Sequence, residues 1–251
     1  MKLPALVPEW PVPGRVRAFC TLRTGGVSDA PYASLNLATH VGDAPASVRE
    51  NRRRLRTELS LPGEPLWLEQ VHGTRVLDAD EAGTAKLAPA DAAITRQSNR
   101  VLAVLVADCL PVLLATRTGD AIGVAHAGWR GLAAGVIERA VEALRSPPAQ
   151  LQAWLGPAIS AAHFEVGFEV RTAFVSRHAE AAACFSANAH GHWQCDLAGL
   201  ARQRLEALGV YSIHDSALCT ASDAQRFFSY RRDRHTGRIA ALLWIAGEEQ
   251  T

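Results

Sequence analysis

In "VLVADCLPVLLATRTGDAIGVAHAGWR", Val104–Arg130, one apolar run breaks at Asp108-Cys109 and a later one ends on His126. A thiol and an imidazole at such positions can ligate a metal or act as nucleophile and base. The intervening Arg117-Thr118-Gly119-Asp120 reads as the turn of a hairpin. With Thr116 opposite Ala121, Pro111 falls opposite His126. Cys109 then lies two residues away diagonally, on the same face, because strand side chains alternate with period two. Spacing alone predicts that Cys109 and His126 are neighbours. His72 of "LEQVHGTRV" is a third candidate, with Gln70 on its strand face, although nothing local brings it to the pair. Joined by His72, the pair would become two imidazoles and a thiolate. Three such ligands with an open fourth position describe a catalytic zinc, which generates hydroxide near neutral pH. The competing reading is inert packing, since free cysteine is among the most buried residue types. Asp108 sets a carboxylate beside the thiol, and the other cysteines read as structural.

Anion-binding features cluster nearby. In "AHAGWRGL", Gly128 and Gly131 leave backbone amides accessible where a helix begins, and Arg130 adds a guanidinium. "TLRTGGVS" places Arg23 before two glycines, and "FFSYRRD" carries Tyr230, Arg231 and Arg232 before a turn. With Arg130 these would form a polar pocket wall that tolerates anions. The pair His190 and His192 in "HGHW" raises copper oxidation and does not sustain it. Multicopper oxidases need several His-x-His pairs and a His-Cys-His bridge, whereas the nine histidines supply one such pair and no bridge.

The whole chain frames these residues. Its 251 residues are 48% hydrophobic with a formal net charge of +1, enough for a sizeable core and no electrostatic case for a nucleic-acid or membrane-surface partner. Of Arg49, Arg52, Arg53, Arg54 and Arg56, most are read as the wet face of a helix. Five scattered cysteines without Cys-x-x-Cys suit a reducing cytoplasm. Pro4, Pro8, Glu9, Pro11 and Pro13 interrupt the start before a signal-type apolar core can form. No apolar run approaches the roughly 20 residues that span a bilayer. The expectation is a soluble cytoplasmic protein, monomer or weak dimer, forming one domain over residues 1–251.

Periodicity supplies the elements. "VRAFCTLRTGGVS" reads as a strand entering a Gly-Gly turn, and "ASVRENRRRLRTELSL" as a helix with Val48, Leu55 and Leu59 on one stripe. "PLWLEQVHGTRVLDAD" alternates like a strand pair about Gly73. "RGLAAGVIERAVEALRS" and "FEVGFEVRTAFVSRHAEAAA" have helical spacing, and "LQAWLGPAIS" is a strand ending in a Gly-Pro turn. "DLAGLARQRLEALGV" is a helix capped by Asp196 and stopped at Gly209. "RFFSYRRDRHTGRIAALLWIA" reads as a closing hairpin about Thr236-Gly237. Without regular βαβ alternation, the pattern favours a layered α+β architecture over a Rossmann or barrel fold.

In chain order, "TLRTGGVS", "SLNLATHVGD", "NRRRL", "WLEQVHG", "ADCLPVLL", "AIGVAHAGWRGL", "WLGPAIS", "FEVGFEV" and "FFSYRRDRHTGRIAALLW" resemble the YfiH-like family, also labelled laccase-domain, polyphenol oxidase or DUF152. The resemblance runs from about Val7 to Trp244. It implies a four-layer α/β/β/α sandwich with mixed sheets, similar to toxin-type cysteine hydrolases. It also implies a zinc site of His72, Cys109 and His126. The implied activity is phosphorolysis of adenosine, inosine, guanosine and methylthioadenosine, with adenosine deamination. Other members imply peptidoglycan editing, the amidase removal of L-serine from UDP-MurNAc-L-serine. A third reading, from another class, is a non-catalytic metal-binding protein. For the enzyme, Asp108 is the nearest carboxylate for acid/base work. Arg23, Gln70, Arg130, Tyr230 and Arg231 are the candidates for holding purine nucleoside and phosphate.

Overall fold

Leu102–Val106, Leu110–Thr116 and Ile239–Ile245 are buried along their whole length, so each needs cover on both faces. The computed structural model, which describes residues 3–81 and 89–247, meets that need with two stacked sheets between helical layers. The first sheet holds β1 (Ala5–Leu6), β2 (Val16–Thr21), β3 (Leu66–Trp67), β6 (Leu102–Val106) and β14 (Ile239–Ile245), in the order β1-β2-β14-β6-β3. The second holds β4 (Val76–Asp78), β5 (Ala92–Thr95), β7 (Leu110–Thr116), β8 (Ile122–Ala127), β9 (Leu151–Leu155) and β13 (Ser212–Asp215), in the order β13-β9-β7-β8-β5-β4. A small third sheet pairs β10 (Glu165–Val166), β12 (Trp193–Cys195) and β11 (Phe185–Ala187). Both large sheets mix parallel and antiparallel pairs.

Period-two alternation sorts the apolar residues into layers. On β14, Ala240, Leu242 and Trp244 face helix α1 (Pro45–Glu58), while Ile239, Ala241, Leu243 and Ile245 face the second sheet. On β7, Leu113 and Ala115 fill the space between sheets. Leu110, Val112 and Leu114 meet the outer layer of α2 (Trp129–Ala134), α3 (Val136–Ala143), α4 (Phe168–Val175) and α5 (Leu197–Ala207). The order is therefore α/β/β/α, the architecture the family resemblance implies. Among the described residues no helix is long and apolar enough to cross a membrane.

Several local readings hold. The β7–β8 register sets Pro111 opposite His126, as spacing requires. Asp196 caps α5 by accepting a hydrogen bond from Gly199 N at 2.9 Å, and Gly209 follows in the left-handed region. Val48 and Leu55 are buried on α1 beside Asn51. Others are corrected. The segment around Gly73 is no strand pair, because β3 and β4 belong to different sheets. The helix after Gly128 breaks at Gly135, whose φ of 104° suits glycine and ends α2. The segment from Phe164 divides into β10, α4 and a 3₁₀ turn at Ala179–Cys184. The closing segment is no hairpin: a short helix, α6 (Tyr230–Asp233), precedes β14, which pairs with β2 and β6.

Candidate metal centre

Asp108-Cys109 interrupts the apolar run because the chain changes sheets there. β6 ends at Val106 in the first sheet and β7 begins at Leu110 in the second. Asp108 makes the crossing with φ 87°, a conformation that side chains other than glycine rarely adopt. Its carboxylate accepts from Thr220 Oγ1 at 2.7 Å and from Arg231 N at 2.6 Å, and its carbonyl accepts from Ile159 N. The crossing is thereby locked, and Cys109 sits half-buried at its end. His126 stands on β8 and is buried, while His72 lies exposed on the loop between β3 and β4. One ligand atom from each of His72, Cys109 and His126 falls within 4.8 Å of the others. Cys109 Sγ lies 3.8 Å from His72 Nε2, and the two imidazole rings meet edge to face at 4.7 Å. Tertiary structure therefore brings His72 to the pair that spacing predicts.

Asp91 organises this convergence, and sequence analysis missed it. Fully buried at the entrance to β5, its carboxylate accepts from the backbone N–H groups of Val71, His72 and Gly73 at 2.7–3.1 Å. The same carboxylate lies 2.8 Å from His126 Nδ1. It therefore holds the His72 loop, where His72 has φ 60°, and leaves Nε2 as the free nitrogen of His126. No local signal distinguishes Asp91 in "APADAAI", because both partners are distant in sequence.

The charges suit a cation. Burial pushes the Cys109 thiol up, but the His126 charge and hydrogen bonds from both imidazoles outweigh it and bring the thiol down to about 6. Burial disfavours a charged His126, yet the Cys109 thiolate and the bond to Asp91 raise it to about 9. Burial also opposes an ionised Asp91, and the His126 contact with the Gly73 and Val71 amides keeps that carboxyl below its usual range. A thiolate and two imidazoles, one braced by a buried carboxylate, are a donor set that fits zinc. The space is shaped to match. A Cβ on Gly128 would stand 2.8 Å from His72 Cδ2 and 3.0 Å from Cys109 Sγ, and one on Gly131 would stand 2.8 Å from Gly73 O. These glycines let α2 approach the loop that carries His72 closely, a steric role beside the accessible amides expected of them.

Two adjoining chambers open over the centre, and His72, Cys109, Arg130 and Tyr230 line both. The first, about 240 Å³, is walled by Trp129, Phe164, Ile159 and Leu197, with Asp108 and Arg231 at its edge. The second, about 340 Å³, adds His40, Gln70 and Arg238. Arg130 lies over the Trp129 ring at 4.3 Å. Arg231 donates to Glu165 O at 2.8 Å and lies over Phe164. Gln70 lines the second chamber but spends its amide on β6, donating to Leu105 O at 2.9 Å and accepting from Leu105 N at 2.8 Å. Arg23 lines neither chamber; it donates to Ala33 O and Ala224 O and lies over Phe228. His190 and His192 both point Nδ1 at Glu165, away from these chambers. Trp129, Phe164, His40 and Arg238 are further wall residues that sequence analysis did not single out.

The family model described as multi-copper polyphenol oxidoreductase laccase matches residues 17–246. A Pseudomonas aeruginosa protein named purine nucleoside phosphorylase is 50% identical, covering 96% of this chain and 98% of its own. An Escherichia coli protein named purine nucleoside phosphorylase YfiH is 48% identical over 96% of this chain and 98% of its own. The crystal structure of a Neisseria meningitidis protein carrying the DUF152 label superposes with a TM-score of 0.93 at 45% identity, covering 97% of this chain and 99% of that one. Among the described residues, the His72–Cys109–His126 group is the one such cluster with metal-ligand spacing, which agrees poorly with the multi-copper description.

Proposed function

This chain belongs to the laccase-domain family that includes the YfiH proteins, and we propose that it is a zinc-dependent purine nucleoside phosphorylase. The single observation that carries the reading is a thiolate–bis-imidazole centre at the boundary of two chambers, one with aromatic walls and both with arginines in their lining. The substrate class follows the names borne by its relatives. We assign adenosine, inosine, guanosine and methylthioadenosine, with adenosine deamination at the same centre.

Zinc held by His72, Cys109 and His126 would supply Lewis acidity and charge stabilisation beside the substrate. The chain's own residues do the rest. Trp129, Phe164 and Tyr230 offer aromatic surface for a purine. Arg130 reaches both chambers and supplies positive charge between base and phosphate. In phosphorolysis the C1′–N9 bond breaks with its electron pair going to the purine, a phosphate oxygen bonds to C1′, and the purine takes a proton from solvent. In deamination water adds at C6 and ammonia leaves. Asp108, with both carboxylate oxygens on Thr220 and Arg231, acts as a positioning residue that holds Tyr230-Arg231 against the chamber, where it is also the carboxylate for acid/base work. Gln70 likewise positions the His72 loop.

The test is zinc-loaded protein given adenosine with and without phosphate. Adenine and ribose 1-phosphate should form only with phosphate, and inosine in either case. Neither product from fully loaded protein would refute the reading. Serine released from UDP-MurNAc-L-serine in a parallel incubation would move the assignment to an amidase.

A further inference from the structure

The larger chamber contains an unbalanced set of charges. His40, Arg130 and Arg238 line it, and no carboxylate does so among the described residues. Arg238 donates from Nη1 to the carbonyls of Thr236 and Gly237, and among the described residues it forms no ion pair with a carboxylate. Its negative neighbours are the Cys109 thiolate, which belongs to the metal centre, and Asp108, already bonded to Thr220 and Arg231. Desolvating a cation beside other cations is unfavourable, and burial weakens the charged form of both Arg238 and His40, the latter further opposed by Arg238 and Arg52. Such an arrangement in a cleft marks a functional site with a missing counter-charge.

The segments that carry His40 and Arg238 are also tied together before any ligand arrives. Asn36 is fully buried, and its Oδ1 accepts from Ala38 N and Arg238 N, both at 3.0 Å. Its Nδ2 donates to Ala38 O at 3.0 Å and Asp43 Oδ2 at 2.9 Å. Leu37 N donates to Arg238 O at 3.3 Å. One buried amide thus ties the loop carrying His40 to the entry of β14, where Arg238 stands. The other chamber has aromatic and aliphatic walls, and its cations Arg231 and Arg234 stand with the Asp108 carboxylate, a negative charge that the larger chamber lacks.

We propose that His40 and Arg238, with Arg130 at the shared wall, form the seat of a phosphate oxyanion, which in the phosphorylase reading is inorganic phosphate placed across the metal centre from the purine. This assignment rests on that reading for the source of the phosphate but not for its chemistry. The diphosphate of a nucleotide-sugar precursor presents the same oxyanion.

The experiment compares zinc-loaded wild type with Arg238→Gln and His40→Gln, after confirming equal metal content and equal melting. In phosphorolysis each variant should raise the phosphate KM by roughly 10- to 100-fold, the range for losing a hydrogen bond to a charged group, with the nucleoside KM within about twofold. Arg238→Lys, which keeps the charge, should recover part of the loss. Calorimetric titration with inorganic phosphate, and separately with UDP, reads the seat without turnover. Phosphate bound by wild type and lost from both variants supports the seat, even if no nucleoside is cleaved and the phosphorylase reading fails. UDP bound in place of phosphate, and lost from the same variants, moves the source to a nucleoside diphosphate and overturns inorganic phosphate. Variants that bind phosphate as wild type does, or a wild type that binds neither anion, overturn the seat itself.

Discussion

The Asp91 carboxylate holds both histidines of the candidate metal centre at once: Oδ1 lies 2.9 Å from the backbone nitrogen of His72 and 2.8 Å from Nδ1 of His126. One side chain thus sets the position of an exposed ligand and the orientation of a buried one. Asp91→Asn keeps the shape, removes the charge and turns one acceptor into a donor facing N–H groups. Metal affinity should fall about 10- to 100-fold, as when outer partners of metal ligands are lost. Stability should fall by about 1–3 kcal/mol from the buried groups left unsatisfied. Competition against a chromophoric zinc chelator, together with denaturant melts, checks both; unchanged affinity would remove Asp91 from the centre.

Cys109→Ala separates chemistry from packing. A ligand role predicts lost turnover and lost metal with the circular dichroism of the fold intact. A packing role predicts about 1–3 kcal/mol of destabilisation with turnover retained. Metal analysis of the wild type should return close to one ion per chain, in keeping with one ligand cluster among the described residues.

Gly128→Ala tests the close approach of α2 to the ligands. The added Cβ meets His72 Cδ2 at 2.8 Å and Cys109 Sγ at 3.0 Å. Overpacking of this kind costs about 1–3 kcal/mol, and part of it should appear as weakened zinc binding. Gly14→Ala is the control: its Cβ meets nothing within 4 Å, so its melt should stay within about 0.5 kcal/mol of wild type.

The metal-free protein should reveal Cys109 by its pH profile. A thiol lowered to about 6 is half thiolate there, so its alkylation rate should be level above about pH 7 and fall about tenfold per unit well below 6. Cys20 and Cys184, raised by burial to about 12 and about 11, should resist alkylation throughout. Peptide mass spectrometry after timed iodoacetamide treatment identifies each site, and zinc should protect Cys109. Preferential labelling of Cys20 would contradict this charge pattern.

Much of the site was legible because its nearest pair is local. A hairpin turn at Thr118-Gly119 propagates a register, so Cys109 and His126 can be placed together by counting. His72 could be named as a candidate from its own segment but joined to the pair only through family likeness, since its loop reaches the pair by way of Asp91, which no short-range pattern marks. Glycines were only partly legible for a related reason. Gly128 and Gly131 read as open amides, and the structure adds a second reason for glycine there, since the His72 loop lies against them. The long helix after Gly128 failed at Gly135, where helical periodicity persists across a left-handed residue.

By itself, the sequence determined the layered mixture of strands and helices, the capped helix from Asp196 to Gly209, and which cysteine and histidine would be cross-strand neighbours. All of these follow from backbone periodicity and turn chemistry. Only the tertiary structure decided that β6 and β7 lie in different sheets, that Asp108 spends its carboxylate on Thr220 and Arg231, and that His40 and Arg238 face one chamber with no carboxylate in its wall. Those relations join residues far apart in the chain, and they depend on filling space between layers and on pairing the polar groups buried there, which no local pattern encodes.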